Sequence, residues 1–319
     1  MPVKIIAEVG SNHNGSLEEA LSYIKASAES GADAVKFQLF RADHLYPPDQ
    51  SVFKTIKRLE VPHDWIPKLA QSCQENNVEF MCSVFDEESS DVVDPWVKRH
   101  KIASYEITHE PLLKHIAKMT KPVILSTGCS NLSEVRLAFD ILRYNGCPEV
   151  ALLQCSGSYP ASELQAKLYS LHELRKISYR IGYSDHTEGF FTAGLAVAIG
   201  AVIVEKHVTL DRGDEGPDHS FSLTMKDFEK YVDHIRRVEK ILGSGGKIPQ
   251  PEEEELRKFC RRSLFTTEPI TAGMEFSKHN TRILRNGNHE QGLEPKNLEW
   301  LIGQKAAYSI KAWQPIFPG

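Results

Sequence analysis

Two histidines, His186 and His207, stand at the ends of two consecutive short apolar runs, with one helix-length stretch between the runs. In a parallel sheet, a strand, its crossover helix and the next strand return the chain to the same edge, so we expect the two imidazoles to meet there. Such a pair can hold one divalent cation, with water and substrate oxygens as the other ligands. Imidazole and oxygen ligands suit Mn²⁺ or Mg²⁺ as well as Zn²⁺. On spacing alone, two hydrogen-bonded histidines without a metal remain the alternative.

Polar residues also mark the other apolar runs. Lys36 and Gln38 share one face of their run while Val35, Phe37 and Leu39 alternate onto the other, which predicts that the lysine and the glutamine point inward. The remaining runs contribute Glu8, Ser83, Lys101 with Ser104 and Glu106, Ser126 with Thr127, Cys155 with Ser156, Ser184, and Glu205. Any one of them is as consistent with a structural cap as with a function. Together, lysines, hydroxyls and glycine-containing turns suit a small substrate that carries phosphate and carboxylate.

The elements that must position these residues alternate regularly. Eight strand-like runs, each followed by a helix-length stretch, predict an α/β fold of the (β/α)8 TIM-barrel type, with its site at the carboxyl ends of the strands. Residues 16–30 begin with a capping-box pattern at Ser16 and Glu19, and residues 224–242 follow the last run. The runs are residues 3–9, 34–40, 78–83, 101–106, 123–127, 150–155, 180–184 and 202–207. In the fourth run, Lys101 does not share the alternation of Ser104 and Glu106, so pointing all three inward needs a bulge or an early strand start.

The barrel pattern stops at a glycine-rich segment, residues 243–246. The prolines and the four consecutive glutamates that follow predict an exposed linker. The predicted organisation is therefore a catalytic barrel at 1–246, a linker at 247–259 and a small β-rich domain at 260–319, where short runs are broken by turn signals. The long segment 41–62, which follows the second run, is expected to form a flap over the barrel mouth.

The composition argues against some classes of binding partner. The chain has 319 residues and a net charge of −5, so it shows no basic excess that would favour nucleic acids or anionic membranes. The first residues lack the apolar core of a signal peptide, and no later stretch approaches the roughly 18 apolar residues of a membrane span. We therefore expect a soluble, cytoplasmic protein that binds neither nucleic acid nor membrane.

Six cysteines lie far apart without a CxxC pair, a spacing typical of reduced thiols. Cys82, Cys129 and Cys155 fall at or just after predicted strand ends, where a catalytic thiol is conceivable, but a small buried residue is the favoured interpretation. An acidic loop, residues 209–219, follows the last run. It either hydrogen-bonds sugar hydroxyls through Asp218 or is an ordinary solvated loop.

Several segments together resemble the sialic acid synthase family. They are residues 7–15 (AEVGSNHNG), 35–38 (VKFQ), 124–128 (ILSTG), 183–187 (YSDHT) and 205–207 (EKH), and the resemblance covers nearly the whole chain in the same order. The C-terminal part is similar to the family's antifreeze-like (SAF, β-clip) domain, through residues 261–264 (RRSL) and 269–274 (PITAGM).

The resemblance implies a transferase that condenses phosphoenolpyruvate with an open-chain N-acylated hexosamine of the N-acetylmannosamine type, or its 6-phosphate. The products would be a nonulosonic (sialic) acid and phosphate. It also implies that His186 and His207 hold Mn²⁺ or Mg²⁺, which would polarise the sugar aldehyde. The matching phosphoenolpyruvate positions are Lys36, Ser83, Lys101, Ser104 and Ser184.

Further positions carry roles in the family. Glu8 and Glu106 match acidic residues near the reacting carbons and, with Lys36, are the candidate catalytic groups, although sequence does not separate their roles. The matching sugar contacts are Gln38, Glu106, Tyr159, Asp218 and Arg285. In the family, the arginine at the position of Arg285 comes from the partner subunit, which implies a domain-swapped homodimer.

Four positions depart from the family pattern. Tyr105 stands where a glycine is usual, His109 where an asparagine is common, Gly157 where a serine or asparagine precedes the tyrosine, and Asn286 where a proline is usual. Because sugar-facing positions change while the metal and phosphoenolpyruvate positions match, the reaction type is better supported than any named sugar. A synthase of pseudaminic, legionaminic or another 2-keto-3-deoxy sugar acid, a non-catalytic sugar-binding homologue, and a metal-dependent aldolase or hydrolase remain alternatives.

Overall fold

The computed structural model describes residues 2–243 and 245–318, and chain packing divides it into two compact units, Met1–Gly243 and Ser244–Gly319. In the first unit, parallel strands pair in chain order and the first also pairs with the eighth, which closes a barrel. The predicted (β/α)8 barrel is confirmed. Its strands are β1 (Lys4–Gly10), β2 (Ala34–Leu39), β3 (Glu79–Val84), β4 (His100–Ile102), β5 (Val123–Ser126), β6 (Val150–Cys155), β7 (Ile181–Asp185) and β8 (Ile203–Thr209).

Amphipathic helices cover the outside of this barrel. Tyr23 and Ile24 of the first helix, and Tyr231 and Ile235 of the last, are buried in the same apolar cluster as the outward-facing strand residues. The helices are α1 (Leu17–Glu29), α2 (Ala42–Leu45), α3 (Phe53–Arg58), α4 (Trp65–Glu75), α5 (Glu87–Val93), α6 (Glu110–Lys118), α7 (Leu132–Tyr144), α8 (Ser170–Arg175), α9 (Phe191–Ala198) and α10 (Met225–Leu242). At the start of α1 the Ser16 hydroxyl accepts the N–H of Glu19, as the sequence predicted. A short strand, β9 (Leu223–Thr224), pairs with the end of β8.

The inside of the barrel is layered. One layer is entirely apolar and consists of Ile6, Ala34, Met81, Ile124, Ala151, Leu153 and Ile203. Because side chains alternate along a strand, the next inward-facing positions lie two residues further on. Those positions include Glu8, Lys36, Ser83, Ser126 and Glu205, all buried. The polar layer thus lies toward the carboxyl ends of the strands, above an apolar floor.

The fourth strand is shorter than the sequence predicted. It ends at Ile102, and residues Ser104–Thr108 form a 3₁₀ helix in which Glu106 N–H bonds to Ala103 O. The prediction of a strand over 101–106 is therefore wrong beyond Ile102. The mismatch in alternation between Lys101 and Ser104 needs neither a bulge nor an early strand start, because Ser104 lies outside the strand.

The long segment 41–62 contains α2 and α3. The Glu60 carboxylate accepts the N–H of Ala42 at 2.7 Å, so the segment is closed near its two ends. Its role as a flap stays a prediction. Among residues 2–243 and 245–318, no helix is both long and apolar enough to cross a membrane.

The second unit has its own small core, which includes Leu264, Ile270, Phe276, Leu301 and Ile316. Two antiparallel strands, β10 (Arg262–Thr266) and β11 (Thr281–Arg285), form its sheet, and α12 (Leu298–Leu301) follows. The predicted linker is exposed, but its second half is not extended chain: a 3₁₀ helix at Pro251–Glu253 continues into α11 (Glu254–Cys260).

Candidate active site at the carboxyl end of the barrel

Lys36 lies at the centre of the polar layer. Its ammonium nitrogen is 2.6 Å from Glu8 Oε2 and 3.6 Å from Glu205 Oε2, and it donates a hydrogen bond of 2.9 Å to the Ser83 hydroxyl. The register of β1 with β2 places Glu8 opposite Lys36. Gln38, the next inward-facing residue of β2, donates to Glu8 Oε1 at 2.7 Å. The structure therefore brings four of the predicted site residues into one hydrogen-bonded group.

Lys101 joins this group through Glu205. The Lys101 ammonium donates to the Ser126 hydroxyl at 2.8 Å and lies 3.9 Å from Glu205 Oε1, and the Ser184 hydroxyl donates to the same carboxylate oxygen at 2.9 Å. The site prediction left out both Glu205 and Ser126. The alternation of Glu205 with His207 along β8, and the place of Ser126 at the end of β5, were the signals that would have added them.

Burial and charge set unequal pKa values for the two carboxylates. Burial raises the pKa of Glu8 to about 7, and the contact with Lys36 offsets this only in part. Burial also opposes ionisation of Glu205, but Lys101, Lys36 and the Ser184 hydroxyl together hold its pKa down, at about 2. Near neutral pH one carboxylate is therefore ionised while the other titrates. Two buried lysines face this charge, and such a site attracts an anionic ligand.

The two predicted metal ligands lie next to each other, with ring centroids 5.6 Å apart. Burial lowers the pKa of His186 to about 4, and burial together with the neighbouring His186 lowers the pKa of His207. Both imidazoles are therefore neutral, the state that binds metals. His186 Nδ1 lies 2.6 Å from the carbonyl oxygen of Ser156, whereas His207 Nδ1 has no hydrogen-bond partner in the part of the chain that the structure describes.

His186 and His207 thus offer two neutral imidazole ligands, which suit a divalent cation but do not complete its coordination shell. Within the described ranges, no group of three or more His, Cys, Asp or Glu residues is arranged to hold a metal. The remaining ligands would therefore be water or substrate oxygens, as at open catalytic sites.

Aromatic residues cover the histidines. The Tyr159 ring stacks on His186 with centroids 4.1 Å apart and meets His207 edge-on at 5.6 Å. Phe221, which the sequence interpretation missed, lies 5.1 Å from Tyr159 and 5.3 Å from His207. Tyr159 itself is 44% exposed, so it lies between the histidines and the solvent.

Asp218 also reaches the histidine side of the site. Its Oδ2 atom lies 3.8 Å from His207 Nδ1, and burial raises its pKa to about 6. Gly10 lies directly beneath it, since a Cβ at Gly10 would be 3.0 Å from Asp218 Oδ2 and 3.4 Å from Gln38 Nε2. With φ at +58°, this position also has a backbone that favours glycine. The end of β1 and the loop after β8 thus meet at Asp218.

Ser104 and Glu106 are placed differently from the rest. The Ser104 hydroxyl accepts the N–H of Gly128 at 3.0 Å, which ties the 3₁₀ helix to the loop after β5. Burial raises the pKa of Glu106, which is half-buried. Its carboxylate forms no hydrogen bond or ion pair with any residue that the structure describes. The structure therefore shows no bond from Glu106 to the hydrogen-bonded group around Lys36 and Lys101, which is called the lysine group below.

Two of the departures from the family pattern adjoin each other. The Tyr105 hydroxyl donates to the carbonyl oxygen of Gly157 at 3.4 Å, and a Cβ at Gly157 would lie 2.3 Å from Cys129 Sγ. A side chain at position 157 would therefore require the exposed Cys129 side chain to move. A third departure, His109, caps α6 by accepting the N–H of Leu112 at 3.1 Å.

The three cysteines near strand ends differ from one another. Cys82 and Cys155 are buried, as the favoured interpretation held, but Cys129 is exposed, so that expectation is wrong for this residue. Cys129 lies in the loop after β5 rather than on the strand. Burial raises the pKa of Cys155 to about 11, so this thiol stays protonated, and its sulfur lies 3.7 Å from His186 Nε2.

Arg285 belongs to the second compact unit. It ends β11, its side chain is exposed, and its Nη1 atom is 4.0 Å from Cys260 Sγ. The neighbouring Asn286 is buried, and its N–H donates to the carbonyl oxygen of Arg261 at 2.8 Å.

Known proteins are similar to this chain over most of its length. The model of the NeuB family matches residues 23–247. The chain is 39% identical to the spore coat polysaccharide biosynthesis protein SpsE of Bacillus subtilis (strain 168), over 98% of this chain and 91% of that protein. It is 37% identical to the N,N'-diacetyllegionaminic acid synthase of Legionella pneumophila, over 97% of this chain and 91% of that one. A crystal structure of N-acetylneuraminic acid synthetase from Leptospira borgpetersenii, in complex with citrate, superposes with a TM-score of 0.77 at 36% identity, covering 80% of this chain and 90% of that chain.

Proposed function

Because the chain belongs to the NeuB family, we propose that it condenses phosphoenolpyruvate with an open-chain N-acylated hexosamine to form a nonulosonic acid and phosphate. The observation that carries this proposal is one buried layer in which Lys36 and Lys101 lie within 4 Å of the Glu205 carboxylate, on the strand that also carries His207. Such a layer offers charge for an anion on one side and neutral imidazoles on the other.

Phosphoenolpyruvate carries a phosphate and a carboxylate, and both need charged or hydroxyl donors in a buried site. Lys36 and Lys101 supply the charge. The hydroxyls of Ser83, Ser104 and Ser184 supply further donors. In the structure, Lys36, Lys101, Ser83 and Ser184 bond to Glu8, Glu205, Ser126 and each other, and the Ser104 hydroxyl accepts the N–H of Gly128. Ligand oxygens would therefore take over existing contacts, and few new side-chain positions would be needed.

The bond changes assign work to the carboxylates. C3 of phosphoenolpyruvate forms a bond to the aldehyde carbon, whose oxygen becomes a hydroxyl by taking up a proton. Water adds to C2 and loses a proton. The bond between C2 and the phosphate oxygen then breaks as the C2 hydroxyl becomes the keto group, and the proton of that hydroxyl leaves with the phosphate. Glu8, with a pKa of about 7, can release or accept a proton near neutral pH. Glu106 is the second candidate, because burial raises its pKa as well.

His186 and His207 would hold Mn²⁺ or Mg²⁺, which when bound supplies Lewis-acid polarisation of the aldehyde oxygen. Gln38, Tyr159 and Asp218, all near this end of the barrel, would orient the sugar hydroxyls and the acylamino group, together with Glu106. Tyr159 in addition limits the access of water to the histidine side. We further propose that Arg285 reaches the sugar from a second copy of the chain in a domain-swapped homodimer, with residues 260–319 as the SAF domain.

A second candidate is synthesis of a related acid, such as legionaminic or pseudaminic acid. It is favoured by the pair Tyr105 and Gly157, which changes the surface beside Glu106 and Tyr159 while the lysine group keeps the residues of the family pattern. The two candidates share every step at phosphoenolpyruvate and differ only in the acceptor aldehyde.

The test is to incubate the purified protein with phosphoenolpyruvate, Mn²⁺ and a panel of N-acylated and diacylated hexoses, and to measure phosphate release. We expect release with one class of acceptor, and at least a 100-fold loss of both release and Mn²⁺ affinity in His186→Ala and His207→Ala. His172→Ala, on the exposed side of α8, is the matched control and should behave like the wild type. Sugar binding without release for any acceptor would instead support the non-catalytic homologue, and Mn²⁺ retained by both histidine variants would refute the ligand assignment.

A further inference from the structure

A buried ion pair lies behind the two histidines, on the outer face of the barrel wall. Lys206 and Asp185 are 2% and 0% exposed, and the lysine nitrogen is 3.3 Å from Asp185 Oδ2. The register of β7 with β8 places these two residues opposite each other. Each directly precedes one histidine in the chain, so alternation along the strands turns the ion pair outward where His186 and His207 turn inward.

The ion pair belongs to a network that holds the peptide on both sides of His186. Asp185 Oδ1 accepts the N–H of Thr187 at 2.9 Å and the hydroxyl of Thr187 at 2.7 Å. The Lys206 ammonium donates to the carbonyl oxygen of Thr187, and the Thr192 hydroxyl of α9 bonds to the Thr187 hydroxyl at 2.6 Å. Lys206, which precedes His207, thus contacts the residues on both sides of His186, namely Asp185 and Thr187.

A buried ion pair of this kind is by itself weak evidence for a contribution to stability. Removing two charges from water carries a desolvation cost, and apolar residues of similar volume are often as stabilising in a core. The surrounding core supplies apolar neighbours, since Tyr231 of α10 lies with its ring centre 5.9 Å from the lysine nitrogen. What charged, directional bonds add is a defined relative position of β7 and β8 at the level of the histidines.

We propose that Lys206 and Asp185 are positioning residues, which set the spacing and orientation of His186 and His207 for a divalent cation. The inference rests on the proposed function for the cation itself. It goes beyond that function because neither residue faces the site. Groups in a second layer commonly control metal affinity in this way, and changing them costs about 10- to 100-fold in affinity.

The experiment uses the double variant Lys206→Met with Asp185→Asn, which leaves no unpaired charge and keeps an oxygen that can accept the Thr187 N–H. Isothermal titration with Mn²⁺ and the visible spectrum of the Co²⁺-loaded protein are measured for the full chain. We expect Mn²⁺ affinity to fall about 10- to 100-fold and the Co²⁺ bands to shift, because the ligand geometry changes. A purely structural role would lower the thermal midpoint and leave affinity and spectrum unchanged below it.

Lys4→Met is the matched control, because it removes an ion pair of 2.8 Å with Glu79 at the opposite end of the barrel. It should leave Mn²⁺ affinity at the wild-type value. If the double variant does not fold, Asp185→Asn alone decides, with about a 10-fold weaker affinity expected. Wild-type affinity in the folded variant would overturn the positioning role and leave the proposed function intact. Failure of the wild-type protein to bind Mn²⁺ would overturn the metal assignment and this inference together.

Discussion

Two neighbouring layers inside the barrel are equally buried and chemically opposite. The apolar layer contains Ile6, Met81 and Ile203, each at most 3% exposed. Two residues further along the same strands, Glu8, Ser83 and Glu205 are at most 5% exposed. A shift of one strand period therefore changes the interior from a packed floor to a charged site.

This difference separates the layer that contributes to stability from the layer that is suited to chemistry. The apolar layer gains free energy from burial and packing, and no charge is needed to satisfy it. The polar layer places Lys36 and Lys101 away from water, which is tolerated only because carboxylates and hydroxyls face them. Natural proteins keep such arrangements where function requires them, at a cost in stability.

The largest effect on activity is expected from Lys36→Met, which removes a positive charge from the centre of the polar layer. We expect kcat/KM for phosphate release to fall about 1,000-fold, because in the proposed reaction the lysine would stabilise the anionic groups of phosphoenolpyruvate. Steady-state kinetics with phosphoenolpyruvate varied would measure the loss. Lys230→Met, on the exposed side of α10, is the control and should keep wild-type kinetics. More than a tenth of the activity surviving in Lys36→Met would contradict a chemical role for this layer.

The complementary change is Met81→Ala in the apolar layer. A cavity at this fully buried position should lower the free energy of unfolding by about 3 kcal/mol, while kcat/KM at 25 °C stays within about fivefold of the wild type. Denaturant unfolding and the same kinetic assay give the two numbers. Met81→Leu conserves volume and should cost less than about 1.5 kcal/mol. An activity loss as large as that of Lys36→Met would contradict the prediction that the apolar layer supports stability and not activity.

A smaller expected effect is a pH dependence of stability that comes from a residue outside both layers. His13, in the loop after β1, is buried against Phe37 and Trp65, and burial lowers its pKa to about 4. The neutral form is favoured in the folded state, so this contribution to stability is complete above the ordinary pKa of 6.5 and is lost as the pH falls toward 4. The loss between pH 7 and pH 5 should be about 2 kcal/mol.

Denaturant unfolding at both pH values would measure it. In His13→Asn the amide oxygen replaces Nδ1 as acceptor for the N–H of Gly15, and stability should fall about 2 kcal/mol less over this interval than in the wild type. Met81→Leu should show the full wild-type pH dependence, because the apolar layer does not titrate. Equal pH dependence in His13→Asn and the wild type would count against a buried neutral His13.

Local pattern was sufficient for much of the fold. Short apolar runs separated by helix-length stretches identified the eight strands, and side-chain alternation assigned Lys36 and Gln38 of β2 to the inside of the barrel, where they are found. It failed in the fourth run, where the Ala103 carbonyl accepts the N–H of Glu106 and turns the chain into a 3₁₀ helix. A short apolar run contains no signal for that turn, since the same residues suit either conformation.

The sequence alone gives the residue types at the strand ends, and hence the expectation of one anion site and one cation site. It does not determine which of those residues pair with each other. Glu8 and Glu205 share Lys36 only because β1 closes on β8, which joins positions almost two hundred residues apart along the chain. That closure also sets the unequal pKa values of the two carboxylates, because each depends on which lysine faces it and on how completely the barrel excludes water.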